Sequence, residues 1–149
     1  MKSVVQRVDR ASIRVGDNLF SEIAEGALIF LGIEQGDEKR DADYLCKKII
    51  NLRIFDDSDG KMNRSLLDIQ GELLIVSQFT LLGDCGKGRR PSFAGAERPE
   101  KAKILYDYFI DQSKTKVKKV TQGVFQAMML VEIVNNGPVT ILLDSRRNI

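Results

Sequence analysis

The chain has 149 residues, of which 43% are hydrophobic and 30% are charged, and its formal net charge is +2. This length fits one domain with a substantial core, and the composition is that of an ordinary soluble globular protein. The sequence contains no histidine, which excludes Ser-His and Cys-His nucleophile pairs and histidine-ligated metal sites. Any chemistry must therefore use hydroxyls, amides, backbone dipoles or the substrate itself.

The first part of the chain is rich in strand signals. Apolar or β-branched runs predict four strands, at residues 3–8, 11–15, 19–23 and 27–33. Asp9 and Arg10 divide the first two runs, and Gly16 opens a turn before the third, so we expect an antiparallel meander. The fourth run is continuously apolar, which is typical of a central strand.

Two later segments have helical periodicity. One extends from Asp37 to about Leu52, and the other begins near Pro99, a residue type favoured in the first turn of a helix. Each segment has one apolar face, so both helices must cover a sheet. The two faces contain Ala42, Leu45, Cys46, Ile49 and Ile50 in the first helix, and Ala102, Leu105, Tyr106, Phe109 and Ile110 in the second.

Residues 56–60, Asp-Asp-Ser-Asp-Gly, resemble the beginning of a calcium loop. Lys61 occupies the next ligand position and the closing glutamate of such a loop is missing, so we interpret the segment as a polar turn. Cys46 and Cys85 form no C-x-x-C motif or secretory disulfide framework. We therefore predict no metal site and no cofactor.

Residues 73–82 predict a buried strand with a group of polar side chains at its end. The run up to Val76 is continuously apolar, and Ser77, Gln78 and Thr80 follow it before a Gly-Asp turn signal. The three polar residues either face solvent or form a site where the buried strand ends. The segment that follows, residues 83–95, is rich in Gly, Lys and Arg and predicts little regular structure.

The last predicted strands comprise residues 117–120, 128–134 and 139–143, and a Gly137-Pro138 pair separates the final two. Proline donates no backbone N–H, so it belongs at a sheet edge, a strand start or a turn. An X-Pro bond is also the place where a cis peptide costs least. The pair predicts either an ordinary turn between strands or a kinked turn that presents bare carbonyls to a ligand.

Strands outnumber helices, which favours one α/β domain over residues 1–149, with two sheet layers and helices on one side. The first residues lead directly into a strand pattern rather than a signal peptide. No apolar run approaches the roughly 20 residues of a membrane span. We therefore expect a cytoplasmic protein that does not interact with a membrane.

The positive charge is modest but clustered. The clusters are Lys87, Arg89 and Arg90 in a glycine-containing loop, Lys114, Lys116, Lys118 and Lys119 after the second helix, and Arg146 and Arg147 near the C-terminus. Each cluster is either a solvated surface or a contact for nucleic-acid phosphates, which bind flexible cations regardless of base sequence.

Two motifs and three shorter stretches resemble the D-aminoacyl-tRNA deacylases, long called D-tyrosyl-tRNA deacylases. The motifs are Ser-Gln-Phe-Thr-Leu at residues 77–81 and Asn-Asn-Gly-Pro-Val-Thr at residues 135–140, and the shorter stretches are residues 53–63, 88–93 and 125–127. The resemblance covers the whole chain. Two residues depart from it: Gln126 stands where the family commonly has Gly, and Asn136 where it commonly has Asp.

The resemblance implies an enzyme that hydrolyses D-aminoacyl-tRNA, and glycyl-tRNA mischarged on tRNA(Ala), but rejects L-aminoacyl esters. It also implies a three-layer β/β/α fold with mixed, largely antiparallel sheets, and a homodimer with active sites at the subunit interface. The implied site residues are Ser77, Gln78, Phe79 and Thr80 for catalysis, Gly137, Pro138, Phe125, Met129 and Asn135 for substrate binding and chiral selection, and Lys87, Arg89 and Arg90 for tRNA binding.

An aminoacyl ester is already activated, so its hydrolysis needs only a polarised carbonyl, a positioned water and a stabilised oxyanion. Backbone N–H groups around Phe79 and Thr80 can supply the oxyanion donors. We expect Thr80 to position the substrate, assisted by a ribose hydroxyl of the tRNA, because a threonine nucleophile needs a base that the nearby sequence lacks. Two alternatives remain: an acyl-enzyme hydrolase with Thr80 as nucleophile, and a non-catalytic RNA-binding module.

Overall fold

The computed structural model describes residues 1–146, which form eight β-strands, two α-helices and a short 3-10 turn. The strands are β1 (Lys2–Val15), β2 (Asn18–Ile23), β3 (Gly26–Gly32), β4 (Phe55–Asp56), β5 (Met62–Arg64), β6 (Glu72–Ser77), β7 (Val120–Gln122) and β8 (Leu130–Asp144). The helices are α1 (Lys39–Ile50) and α2 (Pro99–Lys114), and the 3-10 turn is Phe79–Leu82.

The main sheet has six strands in the order β2-β1-β3-β6-β7, with β8 paired to β1. β1 is antiparallel to β2, β3 and β8, whereas the pairs β3-β6 and β6-β7 are parallel. A separate antiparallel pair, β4-β5, encloses the polar turn predicted at residues 56–60. In that turn the Asp57 carboxylate accepts hydrogen bonds from the backbone N–H groups of Asp59 and Lys61. These hydrogen bonds close the turn.

Two hydrophobic clusters divide the molecule into three layers. In β3, Ile29 belongs to the cluster that includes the buried faces of α1 and α2, whereas the adjacent Leu28 belongs to the other cluster. Successive side chains of a strand point to opposite faces, so β3 is buried on both sides. The second cluster is closed by Ile13 of β1 and Ile133 of β8. The predicted mixed α/β fold with two helices is therefore confirmed.

Both helical predictions are confirmed, with small changes at the ends. α1 begins at Lys39 rather than Asp37 because Glu38 is its N-cap, in a capping box with Asp41. Cys46 lies on its buried face, as predicted, and Cys85 is exposed. Neither helix within residues 1–146 is long and apolar enough to cross a lipid bilayer.

The prediction of two strands at residues 3–8 and 11–15 is wrong, because β1 runs through Asp9 and Arg10 without a break. The register with β8 shifts on either side of Val8, which marks a bulge rather than a turn. The bulge carries β1 from the first cluster, which contains Val5, to the second, which contains Ile13.

The predicted turn at Gly137-Pro138 is likewise wrong, because both residues lie within the single long strand β8. Gln6 pairs with Thr140 and Val8 pairs with Asn135, so residues 136–139 bulge opposite Arg7. Gly137 has φ +112°, a conformation that side chains rarely adopt, and residues 1–146 contain no cis peptide bond. Proline is tolerated here because β8 is hydrogen-bonded along only one edge.

The strand predicted at residues 73–82 is too long, since β6 ends at Ser77 and the chain turns into the 3-10 segment. Gln78 donates its N–H to Leu31 O at 2.8 Å, beside the end of β3. The turn then packs over Gly32, where an added Cβ would lie 2.5 Å from Leu82 Cδ2. The strand predicted at residues 117–120 is displaced too, because β7 begins only at Val120.

Candidate active site

A cavity of about 750 Å³ opens at the end of β6. Its walls are the end of β6 with the 3-10 turn, the loop that precedes α2, and the loop between β7 and β8. The lining residues are Leu31, Ile33, Val76, Ser77, Gln78, Phe79, Phe93, Ala96, Glu97, Arg98, Pro99, Ala102, Phe125, Gln126, Ala127, Met128, Met129 and Val131. A large, mostly apolar cleft with a few polar groups is the usual form of a ligand site.

The first wall carries the residues predicted to be catalytic. Ser77, Gln78 and Phe79 line the cavity, whereas Thr80, the next residue, is exposed and does not line it. The Gln78 Nε2 donates a hydrogen bond to Thr80 Oγ1 at 2.5 Å, so the two side chains form one polar unit. The first N–H groups of a helical turn have no acceptor within that turn, which leaves those of Phe79 and Thr80 available beside the cavity.

Aromatic packing connects the first wall to the basic loop. The rings of Phe79 and Phe93 meet edge to face with centroids 5.1 Å apart. Asp84 and Ser92 exchange backbone hydrogen bonds of 2.7 and 2.9 Å, which close the intervening loop. The residues predicted to bind tRNA are exposed on this closed loop: Lys87, Arg89 and Arg90.

The loop before α2 forms the second wall and contributes two charged residues, Glu97 and Arg98. Hydrogen bonds from Lys101 Nζ and from the Arg98 N–H hold the pKa of Glu97 below its usual range. The Glu97 N–H also donates to Ile33 O at 2.9 Å. The carboxylate is therefore ionised and internally satisfied, and it fixes this loop rather than acting as a base.

The third wall is the loop from Val124 to Met129. The Phe125 ring packs on Tyr106 of α2 at a centroid distance of 5.7 Å, and Met129 packs into the second hydrophobic cluster. Burial raises the pKa of the Tyr106 hydroxyl, which stays protonated and donates to Ile75 O at 2.8 Å. Phe125 and Met129, both predicted to bind substrate, therefore lie on the same cavity as the Ser-Gln-Phe motif.

The predicted site residues of the second motif do not line this cavity: Asn135, Gly137 and Pro138. Gly137 and Pro138 are exposed on the bulge of β8, whereas Asn135 has a buried Oδ1 without a hydrogen-bond partner among residues 1–146. Within one chain, the two motifs that carry the family resemblance thus form separate surfaces.

Arg7, which the sequence analysis did not single out, holds the bulge in place. Its guanidinium donates to Ile54 O at 2.7 Å and to Asn136 O at 3.1 Å, and it pairs with Asp56 at 3.3 Å. Arg7 is only 7% exposed. The available signal was its place in the alternating pattern of β1, where Ser3 and Val5 also face inward.

The C-terminal basic cluster is only partly available to a nucleic acid. Arg146 pairs with Glu34 at 3.2 Å and with the buried Asp37 at 3.0 Å, while Arg147 lies outside the described residues. Residues 1–146 contain no group of three or more Cys, Asp or Glu side chains arranged to hold a metal ion.

Comparison with known proteins assigns the chain to a family. The family model for D-Tyr-tRNA(Tyr) deacylase matches residues 4–144. A D-aminoacyl-tRNA deacylase of Syntrophus aciditrophicus is 62% identical over 147 residues, and one of Petrotoga mobilis is 56% identical over 148, each with 99% of both chains covered. The chain belongs to the D-Tyr-tRNA(Tyr) deacylase family.

Two solved structures have the same fold. The c-Myc DNA Unwinding Element Binding Protein superposes with a TM-score of 0.92 at 42% identity, over 97% of this chain and 98% of that one. A probable eukaryotic D-amino acid tRNA deacylase superposes with a TM-score of 0.80 at 16% identity, over 95% and 97% of the two chains. The second likeness concerns the fold alone.

Proposed function

We propose that this enzyme, a D-aminoacyl-tRNA deacylase, hydrolyses the ester between a D-amino acid and its tRNA in the cavity at the end of β6. Membership of the family over residues 4–144 is the observation that carries the proposal. The cavity fits it, because apolar walls can hold a base and an amino-acid side chain while Ser77 and Gln78 supply polar groups at one end. The products are the free amino acid and tRNA.

The chemistry rests on positioning and charge stabilisation rather than on a nucleophilic side chain. The N–H groups of Phe79 and Thr80 donate to the oxyanion that forms when water attacks the ester. The Gln78–Thr80 hydrogen bond holds both side chains in one arrangement. The vicinal ribose hydroxyl of the tRNA, adjacent to the ester, assists proton transfer, so the protein need supply no base.

Chiral selection is assigned to the bulge of β8 from a second subunit. Pro138 is exposed on β8, and so are three large apolar side chains of the same strand, Leu130, Val134 and Leu142, which are 61%, 39% and 56% exposed. A long strand that is unpaired along one edge and exposes several large apolar side chains favours association with another chain. In a homodimer, Gly137 and Pro138 of one subunit reach the partner's cavity, where their carbonyls accept hydrogen bonds from the substrate α-ammonium.

This arrangement selects by exclusion. With the α-ammonium and ester fixed, a D side chain points to solvent, while an L side chain collides with the bulge. Glycine has no side chain to collide, so glycyl-tRNA mischarged on tRNA(Ala) is also cleaved. The exposed Lys87, Arg89 and Arg90 contact the tRNA phosphates, and the enzyme acts in the cytoplasm, where aminoacyl-tRNA is used.

Selection by exclusion is tested with two esters of the same tRNA whose aminoacyl groups differ by one methyl group. The enzyme is expected to cleave glycyl-tRNA(Ala) and to leave L-alanyl-tRNA(Ala) intact, because only the alanyl methyl group meets the bulge. The measurement is release of labelled amino acid over time at equal enzyme concentration. Cleavage of both esters at equal rates would refute selection by exclusion, and cleavage of no aminoacyl-tRNA at all would favour the RNA-binding alternative.

Thr80→Ala is expected to lower kcat/KM about tenfold, since it removes one hydrogen-bonding hydroxyl, whereas loss of an essential nucleophile commonly costs about 10⁴-fold or more. Thr80→Ser, which keeps the hydroxyl, is the matched control and should stay near the wild-type rate. The nucleophile mechanism would take precedence if the alanine variant were folded, bound tRNA and showed no hydrolysis, or if a covalent acyl-enzyme were trapped.

A further inference from the structure

Gln126 has a left-handed backbone conformation, which is unfavourable for residues other than glycine. Among residues 1–146 only two residues other than glycine have positive φ, Gln126 at 63° and Gln70 at 54°. Gln126 is the third residue of a turn closed by a hydrogen bond of 3.2 Å from Ala127 N–H to Val124 O. A turn with positive φ at this position normally takes glycine.

The two glutamines differ in what explains them. Gln70 ends a helical turn, in which its N–H donates to Leu67 O and the N–H of Gly71 donates to Leu66 O. A left-handed residue is common in such a C-terminal cap. Gln126 caps no helix. Strain without a local structural reason is a ground for seeking a function at that residue.

Gln126 is exposed and lines the cavity together with Phe125 and Met128. Its amide has no hydrogen-bond partner among the described residues, in contrast to Gln78, which is bonded to Thr80. The glutamate on the opposite wall, Glu97, is also satisfied, by Lys101 and a backbone N–H. Gln126 therefore presents an unused donor and an unused acceptor to whatever fills the cavity.

We infer that Gln126 reads the edge of the terminal adenine of the substrate tRNA. A glutamine amide offers one donor and one acceptor side by side, which matches the 6-amino group and an adjacent ring nitrogen of adenine. Two other polar side chains on these walls are uncommitted: Arg98 has donors only and cannot accept from the amino group, and Ser77 has a single hydroxyl, which does not span two adjacent base atoms as an amide does. Aromatic rings on the cavity walls offer stacking surfaces for the base. The inference rests on the proposed function.

The test combines stability with base preference, because a structural role and a recognition role predict opposite outcomes. Gln126→Gly relieves the left-handed conformation and is expected to raise the Tm by about 2–4 °C. The same variant is expected to lose preference for adenine. The minimal substrates are the 3′-D-tyrosyl esters of adenosine and of purine riboside, which lacks the 6-amino group.

For the wild type we expect kcat/KM to be about tenfold higher for the adenosine ester than for the purine riboside ester. For Gln126→Gly the ratio should fall to about one, through a slower reaction with the adenosine ester. Gln70→Gly is the matched control, since it relieves a similar φ away from the cavity. It should be stabilised to a similar degree and keep the wild-type ratio.

Equal wild-type rates on the two esters would overturn the inference, as would a Gln126→Gly variant that keeps the tenfold preference. In both cases D-tyrosyl-adenosine is still cleaved, so the proposed function stands. Failure to cleave either ester, or D-tyrosyl-tRNA itself, would instead refute the proposed function.

Discussion

Replacement of Gly137 by alanine is expected to lower kcat/KM for D-tyrosyl-tRNA by at least about 100-fold while the protein remains folded, since a misplaced substrate group costs about that much. An added Cβ would lie 2.2 Å from an Arg7 nitrogen and 3.2 Å from Val139 Cγ2, at a φ of +112°. The bulge must therefore shift, and its carbonyls move with it.

The same substitution is expected to cost stability. The strained backbone accounts for about 1 kcal/mol or more, and disturbing the buried Arg7 hydrogen bonds adds roughly 1.5–3 kcal/mol. Urea unfolding at neutral pH measures the total. Gly16→Ala is the matched control, because Gly16 also has positive φ, at +58°, but an added Cβ there meets nothing within 4 Å.

We expect Gly16→Ala to lose only the stability that the backbone conformation accounts for, and to keep its activity. A Gly137→Ala variant with undiminished D-specific deacylation would show that the bulge has no part in selection. Equal free energies of unfolding for the two variants would show that displacement of the Arg7 side chain does not lower stability.

Two variants that are each strongly impaired are expected to regain activity when they are mixed. One is Gly137→Ala, and the other is the double variant Gln78→Ala with Thr80→Ala, which removes both side chains of the polar unit beside the cavity. If each active site combines the cavity of one subunit with the bulge of the other, a mixed dimer contains one intact site. Random reassembly of equal amounts should recover about a quarter of wild-type activity.

The measurement is deacylation after the two variants are unfolded and refolded together, compared with each refolded alone. Wild-type protein that is unfolded and refolded in the same way is the control for refolding losses. An active monomer in sedimentation would contradict the shared-site account, and so would mixtures no more active than the sum of their parts.

Regular periodicity made much of the fold predictable. Both helices and their buried faces follow from apolar spacing, whereas the polar residues after Val76 left open a solvent-facing strand end or a site. The cavity lies at that point and is lined by Ser77 and Gln78. Local patterns were sufficient for the helices, because burial of one face of an element gives regularly spaced apolar residues in the sequence.

The errors concern features decided by distant pairing. Asp9-Arg10 and Gly137-Pro138 are true interruptions, but local sequence cannot show whether a strand ends or only bulges there. β1 and β8 remain paired on both sides of their bulges, which makes each strand continuous. Arg7 holds the bulge through hydrogen bonds to the carbonyls of Ile54 and Asn136. Both residues are remote from Arg7 in sequence, so no local motif predicts this role.

The most direct test of this account compares kcat/KM for D-tyrosyl-tRNA and L-tyrosyl-tRNA with the purified wild-type protein at one salt concentration. The account predicts hydrolysis of the D-ester and an L-ester that stays intact beyond its spontaneous decay. Equal enzymatic rates on the two enantiomers would contradict it, because a site that excludes L side chains must hydrolyse the L-ester more slowly.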